Sequence, residues 1–353
     1  MQNIHLQDYS IFIGEVWNEW YKFLKQHPYS KILVLTDENT HQHCFPLLEK
    51  NTPKHQLFPI QITAGEQHKG IATCEKIWTA MLDANIDRKA LMVNLGGGVI
   101  GDMGGFCAST YKRGIDFVQF PTTLLSQVDA SIGGKLGIDF NNIKNSIGVF
   151  RNPQAVFVLP KFFDTLPPRE IRSGFAEIIK HSLIADDSEW DKIKEIKELS
   201  KVRWSDFLYD SLLIKKRVVE IDPFEQGIRK ALNFGHTIGH AVESYFLTTE
   251  KPLLHGEVIA IGMICEAYLS HKLVNLSKEA LEEITDFLLK IYGHQSIPTV
   301  EIPNLIDMMR KDKKNENNQI NFSLIQPIGK IHINQTAEAT LIEESIAFYN
   351  EQK

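Results

Sequence analysis

The first part of this chain alternates apolar, strand-like runs with segments of helical period. Each apolar run is short enough to be a strand, and helix-like stretches separate several of the runs. Repeated strand and helix units of this kind form a parallel sheet whose strands are joined by crossover helices. The pattern therefore predicts an α/β domain of Rossmann-like type. The strand candidates are KILVLTD at 31–37, HQLFPIQI at 55–62, ALMVNLGGG at 90–98, FVQFPTTLL and AVFVLP, with a helix expected near 70–84.

The pattern changes close to Pro160. From about Phe162 onward, helical spacing dominates FAEIIKHSLI, a lysine-rich stretch through residue 215, GEVIAIGMICEAYLSHKL and EALEEITDFLLKIYG. A chain of 353 residues is also longer than one hydrophobic core usually organises. Two domains are therefore expected, an α/β domain over 1–160 and an all-α domain over 161–353.

Composition argues against several classes of partner. The net charge of −6, without a basic run interleaved with aromatic residues, argues against a nucleic-acid surface. The sequence has no stretch of about 18 apolar residues, so no membrane partner is expected. The segment MQNIHLQDYS has no export signal, so a cytoplasmic protein is expected. Widely spaced cysteines without a CxxC pair are interpreted as small core residues: Cys44, Cys74, Cys107 and Cys265.

A glycine-rich turn from Gly96 to Gly101 matches GxGxxG and lies between the strand ALMVNL and a helical segment. Glycines at such a turn let backbone N–H groups approach a pyrophosphate at the positive end of the helix, so nucleotide binding is predicted. A turn without a ligand is the alternative. A dinucleotide fold also needs an acid for the ribose. Asp116 is poorly spaced for this role, and Asp37 at the end of KILVLTD is the better candidate.

Two further segments carry groups suited to an anion. QFPTTLLSQVDASIGGK places Asp129 and Lys135 among small residues and glycines, and Lys144 with Asn145 adds a second cation and an amide. Taken singly, Asp129 could cap a helix and the lysines could be exposed to solvent. Taken together in an apolar neighbourhood, these residues indicate an anion-binding loop.

A stripe of polar side chains follows one side of IRKALNFGHTIGHAVE. Spacings of four, three and four place Arg229, Asn233, His236 and His240 on one face of an expected helix whose other side is apolar. Such groups, buried without partners, would each cost about 1 to 3 kcal/mol. Internal carboxylates, or a metal and an anionic ligand, are therefore expected beside the stripe.

A metal site is predicted from the acids and histidines of the second part of the chain. Glu177 and Lys180 lie three residues apart in the mostly apolar SGFAEIIKHSLI, where a surface ion pair is the alternative, and His255 opens HGEVIAIGM. One carboxylate and two imidazoles form a catalytic zinc site with an open position. The i,i+4 spacing suggests His236 with His240, but spacing alone does not choose two ligands among three histidines.

Several long motifs occur in one order along the chain: GGGVIGD, PTTLL, QVDASIGGK, LP..E...G.AEIIKH, LNFGHTIGHAVE and LHGEVIAIGM. Together they closely resemble the 3-dehydroquinate synthase family of sugar phosphate cyclases, in register from about residue 30 to 330. The resemblance implies a Rossmann-like, NAD-binding α/β domain, a helical metal-binding domain and a homodimer. It implies conversion of 3-deoxy-D-arabino-heptulosonate 7-phosphate to 3-dehydroquinate and phosphate, within the shikimate route to chorismate and aromatic amino acids. The implied steps are transient oxidation by NAD, phosphate elimination, reduction and intramolecular aldol closure.

The resemblance also implies roles for individual residues. The ligands of a divalent metal, zinc or cobalt, would be Glu177, His236 and His255. The residues expected to act on or hold the substrate are Arg113, Asp129, Lys135, Asn145, Lys180, Lys215, Arg229, Asn233, His240 (near its phosphate) and Lys314, which is ambiguous with Lys313. The residues expected to bind NAD are Asp37, Asn39, Glu66, Lys69, Gly97, Gly98, Val99, Asp102, Thr122, Thr123, Lys144, Phe162 and Thr165.

Three alternatives to this function stay open at the level of sequence. A cyclase of the same scaffold could act on a sugar phosphate without a carboxylate, although Lys215, Arg229 and Asn233 argue against it. A metal-dependent polyol dehydrogenase would consume NAD with net turnover and would not need the cationic residues. A structural zinc site in a binding protein leaves the nucleotide-type turn and the anion-binding residues unexplained.

Overall fold

A computed structural model describes residues 1–52, 56–141, 143–310 and 319–352. The chain divides into two compact units. Unit 1 comprises Met1–Pro167 and Arg203–Lys216, and unit 2 comprises Pro168–Val202 and Arg217–Lys353. The predicted boundary near residue 160 between an α/β domain and a helical domain stays a prediction. Lys313 and Lys314 lie outside the described residues.

Unit 1 is built on a mostly parallel sheet. Its strands are β1 (Gln2–His5), β2 (Ser10–Ile13), β3 (Ile32–Asp37), β4 (Leu57–Ile62), β5 (Leu91–Gly96), β6 (Asp116–Pro121), β7 (Lys135–Phe140), β8 (Ile143–Phe150) and β9 (Ala155–Val158). Seven of them form one sheet in the order β1-β2-β9-β6-β5-β3-β4, while β7 and β8 form a separate antiparallel hairpin. Within the seven-stranded sheet β1 is antiparallel to β2, and the other neighbours are parallel. The predicted Rossmann-like parallel sheet is confirmed.

Both faces of this sheet are buried, which explains why its strands are continuous apolar runs. Leu33 and Leu35 of β3 belong to one hydrophobic cluster, whereas Ile32 and Val34 belong to the cluster on the opposite face. This division follows from the alternation of side chains along a strand. The helices of this part of the chain are α1 (Trp17–Gln26), α2 (Glu38–His43), α3 (Phe45–Lys50), α4 (Ile71–Asp83) and α5 (Gly98–Thr110).

Unit 2 is mainly helical and is organised around one buried helix. The remaining helices of the described residues are α6 (Pro168–Ala185), α7 (Asp187–Lys194), α8 (Ser205–Ile221), α9 (His236–Phe246), α10 (His255–Leu273), α11 (Lys278–Tyr292), α12 (Ile302–Arg310) and α13 (Ala339–Glu351). Helix α8 begins in unit 1, and its last turn belongs to unit 2. Helix α10 packs against α6, α9, α11 and α13. The sequence did not predict the antiparallel hairpin of β10 (Asn321–Ile325) and β11 (Ile331–Thr336) in this unit.

Two glycines allow α10 to approach its neighbours closely. A Cβ atom at Gly256 would lie 1.9 Å from the backbone oxygen of Ser173 in α6. A Cβ atom at Gly262 would lie 1.9 Å from the backbone oxygen of Gly235, just before α9. Because no side chain fits at either position, α10 contacts α6 and the start of α9 through its backbone.

The polar stripe does not lie on a single helix, so that prediction was wrong. Arg229 and Asn233 belong to a 3₁₀ turn, Ile228–Asn233, and α9 begins only at His236. Between them Gly235 adopts the left-handed conformation with φ of 78°. The side chain of Glu266 accepts hydrogen bonds from the N–H groups of Gly235, Thr237 and Ile238 at 2.7, 3.0 and 3.2 Å. This buried carboxylate satisfies the first N–H groups of α9, and a new helix starts there.

Among the described residues, no helix has the length and apolar character needed to cross a membrane.

Candidate active site

Three donor side chains from three helices converge in unit 2. Glu177 lies in the middle of α6, and His236 and His255 are the first residues of α9 and α10. Their donor atoms all lie within 4.8 Å of one another. Glu177 Oε1 is 3.5 Å from His236 Nε2 and 3.4 Å from His255 Nε2. The three residues predicted as metal ligands are therefore adjacent.

These separations fit a tetrahedral metal ion. Zinc binds carboxylate oxygen and imidazole nitrogen at about 2.0 to 2.2 Å, so two ligand atoms of a tetrahedral site lie about 3.3 to 3.6 Å apart. The two oxygen-to-nitrogen distances at Glu177 fall in this range. The other oxygen of Glu177, Oε2, accepts a hydrogen bond from Lys180, so the two oxygens have separate partners. One carboxylate oxygen and two imidazoles would leave a fourth position of a bound metal open to substrate.

Local structure explains why these three side chains meet. Glu266 fixes the start of α9, where His236 lies. Glu257 fixes the start of α10, since it accepts the N–H of Leu254 at 2.8 Å and ion-pairs with Arg169 and Arg172 of α6, each at 2.7 Å. Burial would raise the pKa of Glu257, but its hydrogen bonds with Arg169, Leu254 and Arg172 lower it to about 2. The ionised carboxylate thus ties α10 to the helix that carries Glu177.

Electrostatics at this site favour a bound cation. Burial alone would lower the pKa of His255, but the carboxylates of Glu177 and Glu243 outweigh burial and raise it to about 9. Glu243 Oε1 lies 3.7 Å from His255 Nδ1, on the opposite side of the ring from Glu177. Lys180, which is 1% exposed, also pairs with Glu177. The two carboxylates around one imidazole attract positive charge, as a divalent metal site requires.

His240 belongs to a second, overlapping group of donors. The donor atoms of His240, Glu243 and His255 also lie within 4.8 Å of one another. The His240 ring lies 5.1 Å from that of His236 and 6.1 Å from that of His255, measured between centroids. The structure therefore brings all three histidines together, and geometry alone leaves the choice among them open.

Arg229 and Asn233 lie on the 3₁₀ turn that precedes α9. Arg229 is buried, its backbone N–H donates to Asp222 Oδ2 at 3.0 Å, and its guanidinium donates to the backbone oxygen of Pro223. Asn233 Nδ2 donates to Glu225 Oε1 at 3.0 Å. A carboxylate and a backbone carbonyl thus supply some of the partners that the side chains of the polar stripe required.

In unit 1, several predicted site residues form one polar cluster. Lys69 Nζ lies 2.7 Å from Asp102 Oδ2 and 2.6 Å from Asn145 Oδ1. Glu66 Oε1 is 3.9 Å from both Lys69 Nζ and Lys144 Nζ. Burial alone would lower the pKa of Lys69, but Asp102 and Glu66 raise it. Residues assigned separately to NAD and to substrate are therefore in direct contact.

The glycine-rich turn lies where parallel strands end. Asp37 ends β3, Gly97 and Gly98 follow β5, and Thr122 and Thr123 follow the neighbouring strand β6. Ligands of open α/β sheets bind outside the carboxyl ends of such strands. The side chain of Asp37 also caps α2 by accepting the N–H of Thr40 at 2.8 Å.

Lys215 of α8 is buried and pairs with Asp129, with Nζ 2.6 Å from Oδ1. Both residues lie in unit 1 and were predicted to hold substrate. The remaining predicted residues of this unit vary in exposure. Asn39, Arg113, Lys135 and Thr165 are exposed, Val99 is half-buried, and Phe162 is buried in the core.

The chain is similar to known proteins over most of its length. A model of the N-terminal part of 3-dehydroquinate synthase matches residues 59–173, and a model of the C-terminal part matches residues 174–315. The 3-dehydroquinate synthase of Parabacteroides distasonis is 42% identical over 344 residues, covering 97% of each chain. The chain belongs to the 3-dehydroquinate synthase family. This family's enzymes are carbocycle-forming lyases, so the predicted family and enzyme class are confirmed.

One further relative and one solved structure are also similar to this chain. The 3-dehydroquinate synthase of Campylobacter jejuni is 40% identical over 309 residues, covering 85% of this chain and 87% of that protein. The structure of 2-epi-5-epi-valiolone synthase from Streptomyces hygroscopicus, solved with NAD+ and Zn2+ bound, has a TM-score of 0.87 at 23% identity. The match covers 100% of this chain and 99% of the synthase chain, and at this identity it shows that the two proteins share a fold.

Three carboxylates around the histidines were missed from the sequence. Glu243 lies three residues after His240, a spacing that places both on one face of α9. Glu266 lies in the apolar run GMICEAYL, where an isolated acid indicates a buried polar partner. Glu257, two residues after His255, has the position of a residue that caps a helix start. These patterns are visible in the sequence, but they do not identify the groups that each carboxylate contacts.

Proposed function

We propose that this chain converts 3-deoxy-D-arabino-heptulosonate 7-phosphate to 3-dehydroquinate and phosphate, in the shikimate route to chorismate and aromatic amino acids. The observation that carries the proposal is the convergence of Glu177, His236 and His255 at metal-ligand separations. Membership of the 3-dehydroquinate synthase family supports the substrate and the reaction. Transient oxidation, phosphate elimination, reduction and aldol closure would follow one another on one substrate.

The proposed cofactors are NAD and a divalent metal, zinc or cobalt. When bound, NAD+ accepts a hydride from a substrate carbinol and later returns it, and the metal lowers the pKa of that hydroxyl. Glu177, His236 and His255 would hold the metal. Asp37, Gly97, Gly98, Thr122 and Thr123 would hold NAD at the carboxyl ends of the strands, because backbone N–H groups there suit a pyrophosphate.

The cationic residues would bind the two anionic ends of the substrate. Arg229 would pair with the substrate carboxylate, since a guanidinium offers a fork of donors of matching shape. Lys135, Asn145 and His240 would hold the phosphate, which takes the proton during its own elimination. Because Asn145 Oδ1 accepts from Lys69, the amide NH₂ is the part that would face the phosphate.

Phosphate release without lasting NADH tests the reaction. Metal-loaded protein with a catalytic amount of NAD+ should release phosphate from the heptulosonate phosphate, while absorbance from NADH returns to baseline. A polyol dehydrogenase would accumulate NADH from glycerol instead. A cyclase for sugars without a carboxylate would release phosphate from sedoheptulose 7-phosphate or glucose 6-phosphate. Active, metal-replete protein that releases no phosphate from the heptulosonate phosphate would refute the proposal.

A cytoplasmic homodimer is part of the proposal. Exposed apolar side chains on the β7–β8 hairpin support self-association, because an interface with a second chain would remove them from water. They are Phe140, Ile143, Ile147 and Phe150. Light scattering coupled to size-exclusion chromatography gives the mass in solution, and a mass of one chain at micromolar concentration would contradict the dimer.

A further inference from the structure

His255 has an acid on each side of its ring. Its Nε2 lies 3.4 Å from Glu177 Oε1, and its Nδ1 lies 3.7 Å from Glu243 Oε1. Glu243 is 6% exposed, so its carboxylate interacts with the ring in a largely dry environment. Because the two nitrogens of an imidazole point in different directions, only one of them can face the metal ligands. The nitrogen that faces the metal-ligand candidate Glu177 is Nε2.

His236 shows the same arrangement with a different acceptor. Its Nε2 lies 3.5 Å from Glu177 Oε1, while its Nδ1 lies 3.1 Å from the backbone oxygen of Phe234. A metal-bound histidine usually donates its other N–H to a carboxylate or carbonyl, which fixes the tautomer and strengthens the bound nitrogen as a ligand. Phe234 supplies this acceptor for His236, and Glu243 occupies the corresponding place beside His255.

We propose that Glu243 is a positioning residue that holds His255 with Nδ1 protonated, so that Nε2 is presented to the metal. The inference rests on the metal site of the proposed function and adds a residue to it. At 3.7 Å the carboxylate lies just beyond hydrogen-bond distance of Nδ1, and its negative charge favours the tautomer that carries the proton on that nitrogen. A small rotation of either side chain brings the two groups to hydrogen-bond distance.

The register of α9 makes this arrangement possible. Glu243 lies seven residues after His236, which is about two turns of helix, so both side chains project from one face. That face would supply one metal ligand at its first turn and the support of a second ligand two turns later. His255 comes from α10, whose start is fixed independently by Glu257.

Zinc affinity of the folded full-length protein tests the inference. The variant Glu243→Gln keeps the shape of the side chain and removes its charge. We expect the Kd for Zn2+, measured by competition with a chromophoric chelator, to rise by about 10- to 100-fold. The visible spectrum of the Co2+-loaded variant should keep the intensity of a four- or five-coordinate ion, because Glu243 is not a ligand. Glu243→Asp, which retains the charge, should lie between the wild type and Glu243→Gln.

The matched control is Glu250→Gln, which removes the same charge from an exposed position of unit 2 and should leave the Kd unchanged. Circular dichroism before metal addition verifies that each variant is folded. A Kd for Glu243→Gln within about threefold of the wild type would overturn the inference, as would a Co2+ spectrum showing a lost ligand. Wild-type protein that binds no Zn2+ would instead refute the metal site itself, and the inference with it.

Discussion

The start of α9 offers the sharpest test of how the site is held. Glu266 is fully buried and accepts three backbone N–H groups, those of Gly235, Thr237 and Ile238. In Glu266→Gln the remaining oxygen can still accept from Thr237 and Ile238, but an amide NH₂ faces the N–H of Gly235. One buried donor then loses its acceptor, which costs about 1 to 3 kcal/mol. The two bonds that remain lose their charge assistance, and the total cost is about 2 to 4 kcal/mol.

Hydrogen exchange measures this cost locally, which matters because a chain with two units need not unfold in one step. The amides of Thr237 and Ile238 in metal-free protein should exchange about 30- to 1,000-fold faster in Glu266→Gln, since each 1.4 kcal/mol is a factor of ten. The control Glu282→Gln removes an exposed ion pair with Lys278, at 3.1 Å, and should change exchange by less than a factor of about three. Exchange of the α9 amides in Glu266→Gln at the wild-type rate would refute the reasoning.

Two other predictions concern the ligands and their support. His236→Ala should weaken Zn2+ binding by more than about 100-fold, because losing a ligand costs more than losing a residue that only supports a ligand. His240→Ala should keep stoichiometric metal and mainly slow turnover. Equal metal loss in both variants, measured by elemental analysis, would contradict the assignment of His236 to the metal and His240 to the substrate phosphate. Glu257 has its pKa lowered to about 2 in the folded chain, so its contribution to stability is present above pH about 4.5 and is lost as the pH falls towards 2. Chemical denaturation across this range should show a steeper loss for the wild type than for Glu257→Gln, and parallel curves would contradict the assignment.

The parallel sheet could be predicted because the residue types of its strands directly reflect how deeply the strands are buried. Strands such as β3 and β5 are buried on both faces, so they read as continuous apolar runs bounded by turn residues. The β7–β8 hairpin could not be found in this way. Its strand β8, Ile143–Phe150, is largely exposed and mixes polar, glycine and apolar residues without a clear period.

Residue spacing along the chain gave a short set of candidate metal ligands but did not choose among the three histidines. Glu177 and the histidines were recognisable as candidates, yet their convergence depends on contacts between helices that are distant along the chain. The expected single helix failed for a related reason. The break at Gly235 is stabilised by Glu266, a residue 31 positions later, and local periodicity contains no information about such a partner.

The metal-ligand group also has a consequence for which ion the protein carries. His236 and His255 lie at helix starts that buried carboxylates fix, and Glu177 lies in the middle of α6, so the same set of donors would be offered to every divalent ion. A cage of one carboxylate and two imidazoles ranks such ions by the general Irving–Williams order, in which zinc exceeds cobalt and copper exceeds both. Which of these ions the protein binds therefore also depends on the concentration of each ion in the cell. Protein made in cobalt-rich medium should contain cobalt. The bound ion should thus reflect the relative concentrations of divalent metals in the cell that produced the protein.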